Sequence, residues 1–122
     1  MAVENRELAA AEAMARSPDE PEHLFEFARA ALGRADWEAA IRRWQIAEER
    51  FPGSWQNPQG MALALRGMGR LDDAETLLRS AIRRFPDEPE PLFDFARLAE
   101  ARHDWEEAVG RWRVAQGRFP ER

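Results

Sequence analysis

Apolar residues recur along this chain in steps of three and four, the spacing that lines one face of an α-helix. One stripe runs Trp37, Ala40, Ile41, Trp44, Ala47 and Phe51. It returns as Leu71, Ala74, Leu77, Leu78, Ala81, Ile82 and Phe85, and again as Trp105, Ala108, Val109, Trp112, Ala115 and Phe119. A second kind of stripe alternates with the first: Leu24, Phe27, Ala28, Ala31; then Met61, Ala62, Leu65, Met68; then Leu92, Phe95, Ala96, Ala99. The pattern predicts helices near 5–16, 21–34, 37–50, 55–68, 71–84, 89–102 and 105–118. Start and stop signals agree. Pro21 and Pro89 suit a first helical turn, where a missing N–H is no loss. Asp36 and Asp104 stand where an N-cap is needed, and Gly67 and Gly69 punctuate the middle turn.

The stripes belong to a repeat. Pro18, Pro52, Pro86 and Pro120 are each 34 residues apart, and Phe51, Phe85 and Phe119 precede the last three. Proline cannot continue a helix, so each Phe-Pro ends one. Aligning 18–51 with 86–119 gives 21 identities in 34 positions, while 52–85 diverges but keeps the spacing. Small residues recur at Ala40, Ala74 and Ala108 and at Ala47, Ala81 and Ala115, with large ones at Trp44, Leu78 and Trp112. A 34-residue helix–turn–helix with these landmarks resembles the tetratricopeptide repeat of bacterial-type repeat proteins. The resemblance implies an all-α fold: a right-handed α-solenoid of antiparallel helix pairs. It implies one domain over 1–122, with an N-terminal helix in 1–17 and repeats at 18–51, 52–85 and 86–119. Ala28, Ala62 and Ala96 replace the family's usual glycine, Ala31, Leu65 and Ala99 its mid-helix aromatic, and Pro58 a large apolar residue.

Composition narrows the chemistry. The charge is −5, so no overall basic character points to nucleic acid. All 18 cationic residues are arginine. Without cysteine there is no disulfide, thiolate nucleophile or thiolate metal site. No apolar run approaches the ~20 residues that span a bilayer. Met1–Arg16 carries Glu4, Glu7 and Glu12 and lacks a leader's apolar stretch. Cytoplasmic residence, with no membrane, nucleic-acid or cofactor partner, is the expectation.

In tetratricopeptide arrays the first helices line a concave groove that takes peptides or helices. Carried onto this chain, the groove set is Glu22, Phe25, Glu26 and Arg29, then Gln59, Leu63 and Arg66, then Glu90, Phe93, Asp94 and Arg97. Phe25/Arg29 and Phe93/Arg97 are each four apart and share a helix face. Two readings stand for those phenylalanines: groove anchors beside an arginine fork, or filling between neighbouring first helices. The chaperone-tail clamp of some members needs paired Lys and Asn. This chain has no Lys, and its only Asn residues are Asn5 and Asn57.

Tryptophans 37, 44, 105 and 112 hold helix-core positions, which favours packing over a ligand cage. Trp55, without a counterpart, is expected to be the exposed one. His23 and His103 show no metal-ligand spacing, and adjacent acids such as Glu106–Glu107 diverge by about 100° on a helix rather than converging as a dyad. No catalytic or metal constellation emerges, and a non-catalytic protein-binding scaffold is the leading expectation. Trp105, Val109, Trp112 and Phe119 mark the last helix as a candidate for self-association, with homodimer formation as the alternative. A third reading is an accessory segment of a larger bacterial enzyme such as a glycosyltransferase.

Overall fold

The computed structural model describes residues 2–121. Seven helices follow one another: α1 (Ala2–Arg16), α2 (Pro21–Gly33), α3 (Trp37–Arg50), α4 (Gln56–Gly67), α5 (Leu71–Arg84), α6 (Pro89–Ala101) and α7 (Trp105–Arg118). Among the described residues there is no strand. From α2 onward the boundaries match the periodicity to within one residue. α1 starts earlier than expected, at Ala2, because neither Gly nor Pro interrupts it before Ser17.

Local chemistry sets the ends. Pro21 and Pro89 open α2 and α6. Asp36 and Asp104 each accept a backbone N–H at 3.2 Å, from Ala39 and Glu107. At the other end of the second helices, the Phe51, Phe85 and Phe119 N–H groups close the last turn on Ala47, Ala81 and Ala115. The turn inside each repeat passes through a left-handed residue: Ala35 at φ 60°, Gly69 at φ 81° and His103 at φ 60°. The following N–H returns to a carbonyl five residues back, from Asp36 to Ala31, Arg70 to Leu65 and Asp104 to Ala99.

Each helix packs on its chain neighbours. The first helices α2, α4 and α6 also approach one another in sequence, whereas the backbones of α3, α5 and α7 stay farther apart and are linked only through long side chains such as Arg111, which reaches Glu75. The result is an α-helical repeat solenoid, with α2, α4 and α6 on the inner, concave side and α3, α5 and α7 outside. Close approach rests on small residues: Ala28, Ala31, Ala40, Ala47, Ala74, Ala81, Ala96 and Ala99 are fully buried. Trp44 and Leu78 fill the space between them.

The α3–α4 seam shows how large and small residues complement each other. A Cβ on Gly60 would lie 2.1 Å from Trp44 Cε2, and one on Gly67 would lie 2.5 Å from Trp37 Cε2. Two glycines seven apart thus seat against two tryptophans seven apart on an antiparallel helix. Asn57, fully buried, completes the seam: its Nδ2 donates to the Phe51 carbonyl at 2.8 Å and to Glu48 Oε2 at 3.2 Å.

Candidate protein-binding surfaces

The inner face carries most of the polar residues expected there. Arg29 is exposed and held by carboxylates of its own helix, Glu26 at 2.9 Å and Glu22 at 3.9 Å. Leu63, the repeat equivalent of Arg29 and Arg97, is half-buried, as are Arg66 and Glu90. Among the described residues Arg66 makes no ion pair, so it is the groove arginine whose donors are uncommitted.

Two members of the groove set are not available to a partner. Phe25 is only 2% exposed. Its ring lies 5.7 Å from Trp44 and edge-on to Phe51 at 6.4 Å. Phe25 therefore packs inside its own repeat, against Trp44 of α3 and Phe51, rather than facing the groove. The small Ala64 of α4 lies in the same buried cluster as the Phe25 ring. Asp94 is the second: buried, it accepts from Gln59 Nε2 of α4 at 2.7 Å and from Arg97 Nη1 at 2.9 Å. Gln59 and Asp94 thus tie α4 to α6 and form the floor of the groove.

The far end of the array is different. Phe93 packs on Trp112 with the same geometry as Phe25 on Trp44, 5.7 Å and 31°. Yet Phe93 and Trp112 are only half-buried, and with Arg97, Gln116 and Phe119 they line an open pocket. The Trp112 indole N–H donates to the Glu100 carboxylate. Trp105 is 59% exposed and Val109 49%. Both outcomes for tryptophan exposure run against the periodicity. Trp105 faces solvent because it lacks a neighbour like the Gly67 that covers Trp37, and Trp55 is half-buried at the start of α4. His103 sits edge-on to Trp105 at 5.5 Å.

Sequence reasoning missed two ionic clasps on the second helices. Arg43 donates to the Phe27 carbonyl at 2.9 Å, lies 3.6 Å from that ring's centroid and pairs with Glu7, which also takes a two-pronged contact from Arg34. Arg111 repeats this: Phe95 carbonyl at 2.8 Å, ring at 3.7 Å, Glu75 at 2.8 Å, with Arg102 alongside. Every member of the second clasp is 68 residues, two repeats, beyond its counterpart. The signal was in the sequence as Glu7/Glu75, Arg34/Arg102 and Arg43/Arg111. At the intervening repeat the same positions are Ile41, Met68 and Leu77, an apolar version of the contact.

These clasps explain the perturbed acids. The Arg34 hydrogen bond, helped by Arg43 against the opposing effect of burial, holds Glu7 below the usual carboxylate range. For Glu75 burial works against ionisation, but the Arg111 hydrogen bond and charge, with Arg79, outweigh it and the pKa falls. Asp36 is lowered first by the Ala39 N–H it caps and then by Arg34. Among the described residues, no three His, Asp or Glu side chains cluster to hold a metal ion. Nor is any of their helices long and apolar enough to cross a membrane.

The repeat geometry has clear relatives. The tetratricopeptide repeat profile matches residues 59–98. That segment is about a third of the chain, and the fold around it is that of tetratricopeptide repeat proteins. A thermophilic tetratricopeptide repeat protein of Thermus thermophilus superposes with a TM-score of 0.78 at 19% identity, over 91% of this chain and 63% of that one. MamA from Desulfovibrio magneticus RS-1 gives 0.78 at 11% identity, over 98% of this chain and 68% of that one. MamA of MSR-1 gives 0.72 at 19%, over 98% and 68%. This chain thus spans less than two thirds of the Thermus protein and about two thirds of the MamA chains. No curated protein matches it in sequence.

Proposed function

We propose that this chain is a non-catalytic scaffold that binds a peptide or helix of a protein partner in the groove of α2, α4 and α6. The observation that carries the reading is Arg66: a half-buried groove arginine with no ion pair among the described residues, one turn from the half-buried Leu63 on the same helix. An apolar side chain on Leu63 with a carboxylate on Arg66 is the pairing the face offers. On one side Arg97 stays held by the buried Asp94, while on the other Arg29 is exchangeable between its own exposed carboxylates, Glu22 and Glu26, and a partner's. Exposed pairs of this kind contribute only about 0–1 kcal/mol, so a partner acid displaces them at little cost.

Peptides selected from a displayed library against the immobilised chain test the reading. Selected binders should be enriched in acidic residues beside an apolar one, and should bind Arg66→Glu and Arg29→Glu/Arg97→Glu variants at least tenfold more weakly. Equal binding of every selected peptide to wild type and variants would sink the groove assignment.

A second reading is favoured by the exposure of Trp105 and Val109 on α7. There a second copy of the chain would pack, burying Trp105, Val109, Trp112 and Phe119. Light-scattering mass over a hundredfold concentration range checks it: a dimer lost in Trp105→Ala is the expected signature, and a constant mass near 14.1 kDa rejects it.

A further inference from the structure

The interior of this molecule specifies a different occupant for that same face. We infer that the α7 end is a preformed acceptor for a helix of α4 chemistry supplied by a partner: two glycines seven residues apart, with an asparagine three residues before the first. This goes beyond the groove reading and does not depend on it.

The argument compares one surface in two states within the same chain. Shifted by 68 residues, Phe25, Arg29, Trp37, Trp44 and Phe51 become Phe93, Arg97, Trp105, Trp112 and Phe119, with all five residue types unchanged. In the first location α4 packs over the Trp37 and Trp44 rings, leaving Trp44 1% exposed. In the second location nothing among the described residues covers their counterparts. The uncovered set is nonetheless already in the covered arrangement: the two Phe–Trp ring pairs match in separation and tilt, 5.7 Å and 31°. Little rearrangement is needed on binding, which lowers the entropic cost of association.

The covered copy also dictates what fits. Gly60 meets the face of Trp44 and Gly67 that of Trp37, with no room for a Cβ at either place. A helix running antiparallel to α7 would set its first glycine on Trp112 and its second on Trp105. An asparagine three residues earlier would reach the Phe119 carbonyl, as Asn57 reaches that of Phe51, and would meet the Gln116 side chain where Asn57 meets Glu48. The α5–α6 junction shows the selectivity of this code. There the tryptophan positions are Leu71 and Leu78, and the glycine positions are Asp94 and Ala101. Large rings pair with glycine, and smaller leucines with larger partners. The Trp112–Glu100 hydrogen bond has no counterpart at Trp44, whose indole nitrogen is unpartnered beneath α4, so Glu100 holds the ring of the open copy in place.

The probe is a labelled synthetic peptide of this chain's own residues 52–69, titrated with the intact 122-residue chain by fluorescence anisotropy. Saturable binding is expected, weakened at least tenfold by Gly60→Leu in the peptide, where no folding of the protein is at stake. Trp105→Ala in the chain, confirmed folded by circular dichroism, should weaken it at least threefold. The groove variant Arg66→Glu should bind the peptide as wild type does, which separates this proposal from the groove reading. Absence of saturable binding at millimolar chain, or equal binding of the wild-type and Gly60→Leu peptides, overturns the inference. If binding is absent while the chain forms a dimer lost in Trp105→Ala, the face belongs to a second copy instead, and the inference is equally overturned.

Discussion

Residue by residue, the repeat enforces some conformations that its side chains do not favour. The turn residue at 35, 69 and 103 is left-handed every time, yet only Gly69 is the residue suited to it. Ala35 and His103 carry a Cβ against the following carbonyl, and Schellman-type hydrogen bonds hold them there. Ala35→Gly should therefore stabilise the fold by about 0.5–1 kcal/mol, read as a higher midpoint in urea. The opposite substitution at Gly60 has the opposite sign. Gly60→Ala puts a methyl into the Trp44 ring, and overpacking of this kind costs about 1–3 kcal/mol. A Gly60→Ala variant as stable as wild type would show that α4 sits less tightly on α3 than the structure has it.

Between elements, the sequence alternates two ways of fastening a second helix to the first. Arg43 and Arg111 are buried along their stems against Phe27 and Phe95 and end in ion pairs. Replacing Arg111 by Ala removes both the packing and the partner of Glu75, and should cost about 2 kcal/mol, the range of hydrogen bonds to charged groups. The clasps also set an acid response. Glu7 and Glu75 have depressed pKa values when folded, so the unfolded chain binds more protons than the native one at mildly acidic pH. Their contribution is fully present above the ordinary carboxylate pKa, near 4.5. It is lost as pH falls below that value and through the folded pKa. A Glu75→Gln variant should be less stable than wild type at pH 7 and approach it as the pH is lowered towards 3. A constant difference across that range would mean that Glu75 acts by shape rather than charge.

Over the whole molecule, equivalent residues acquire different roles from their place in the array. Trp37 and Trp105 share a repeat position and a 34-residue frame, but only Trp37 has a following helix against it. Trp37→Ala should cost several kcal/mol, about 2–4, whereas Trp105→Ala should change stability by less than about 1 kcal/mol, because its ring is largely in solvent already. Thermal melts of the two variants side by side measure the contrast. Equal losses would show that Trp105 is covered in solution, and sedimentation at the melt concentration would then identify a second copy of the chain.

The sequence alone determined the helices, their ends and the 34-residue register, because proline, capping aspartate and the spacing of apolar residues act over one or two turns of chain. It also determined the packing of Trp44, since a large ring among alanines at helical spacing has one place to go. The tertiary structure decided what no local pattern contains. Phe25 is turned inward onto Trp44, in a buried cluster completed by Ala64 of α4, 39 residues on. Asp94 was drawn into the groove floor by Gln59, 35 residues away. Trp105 was left in solvent because exposure depends on whether a neighbouring helix arrives, and helical spacing is blind to that neighbour.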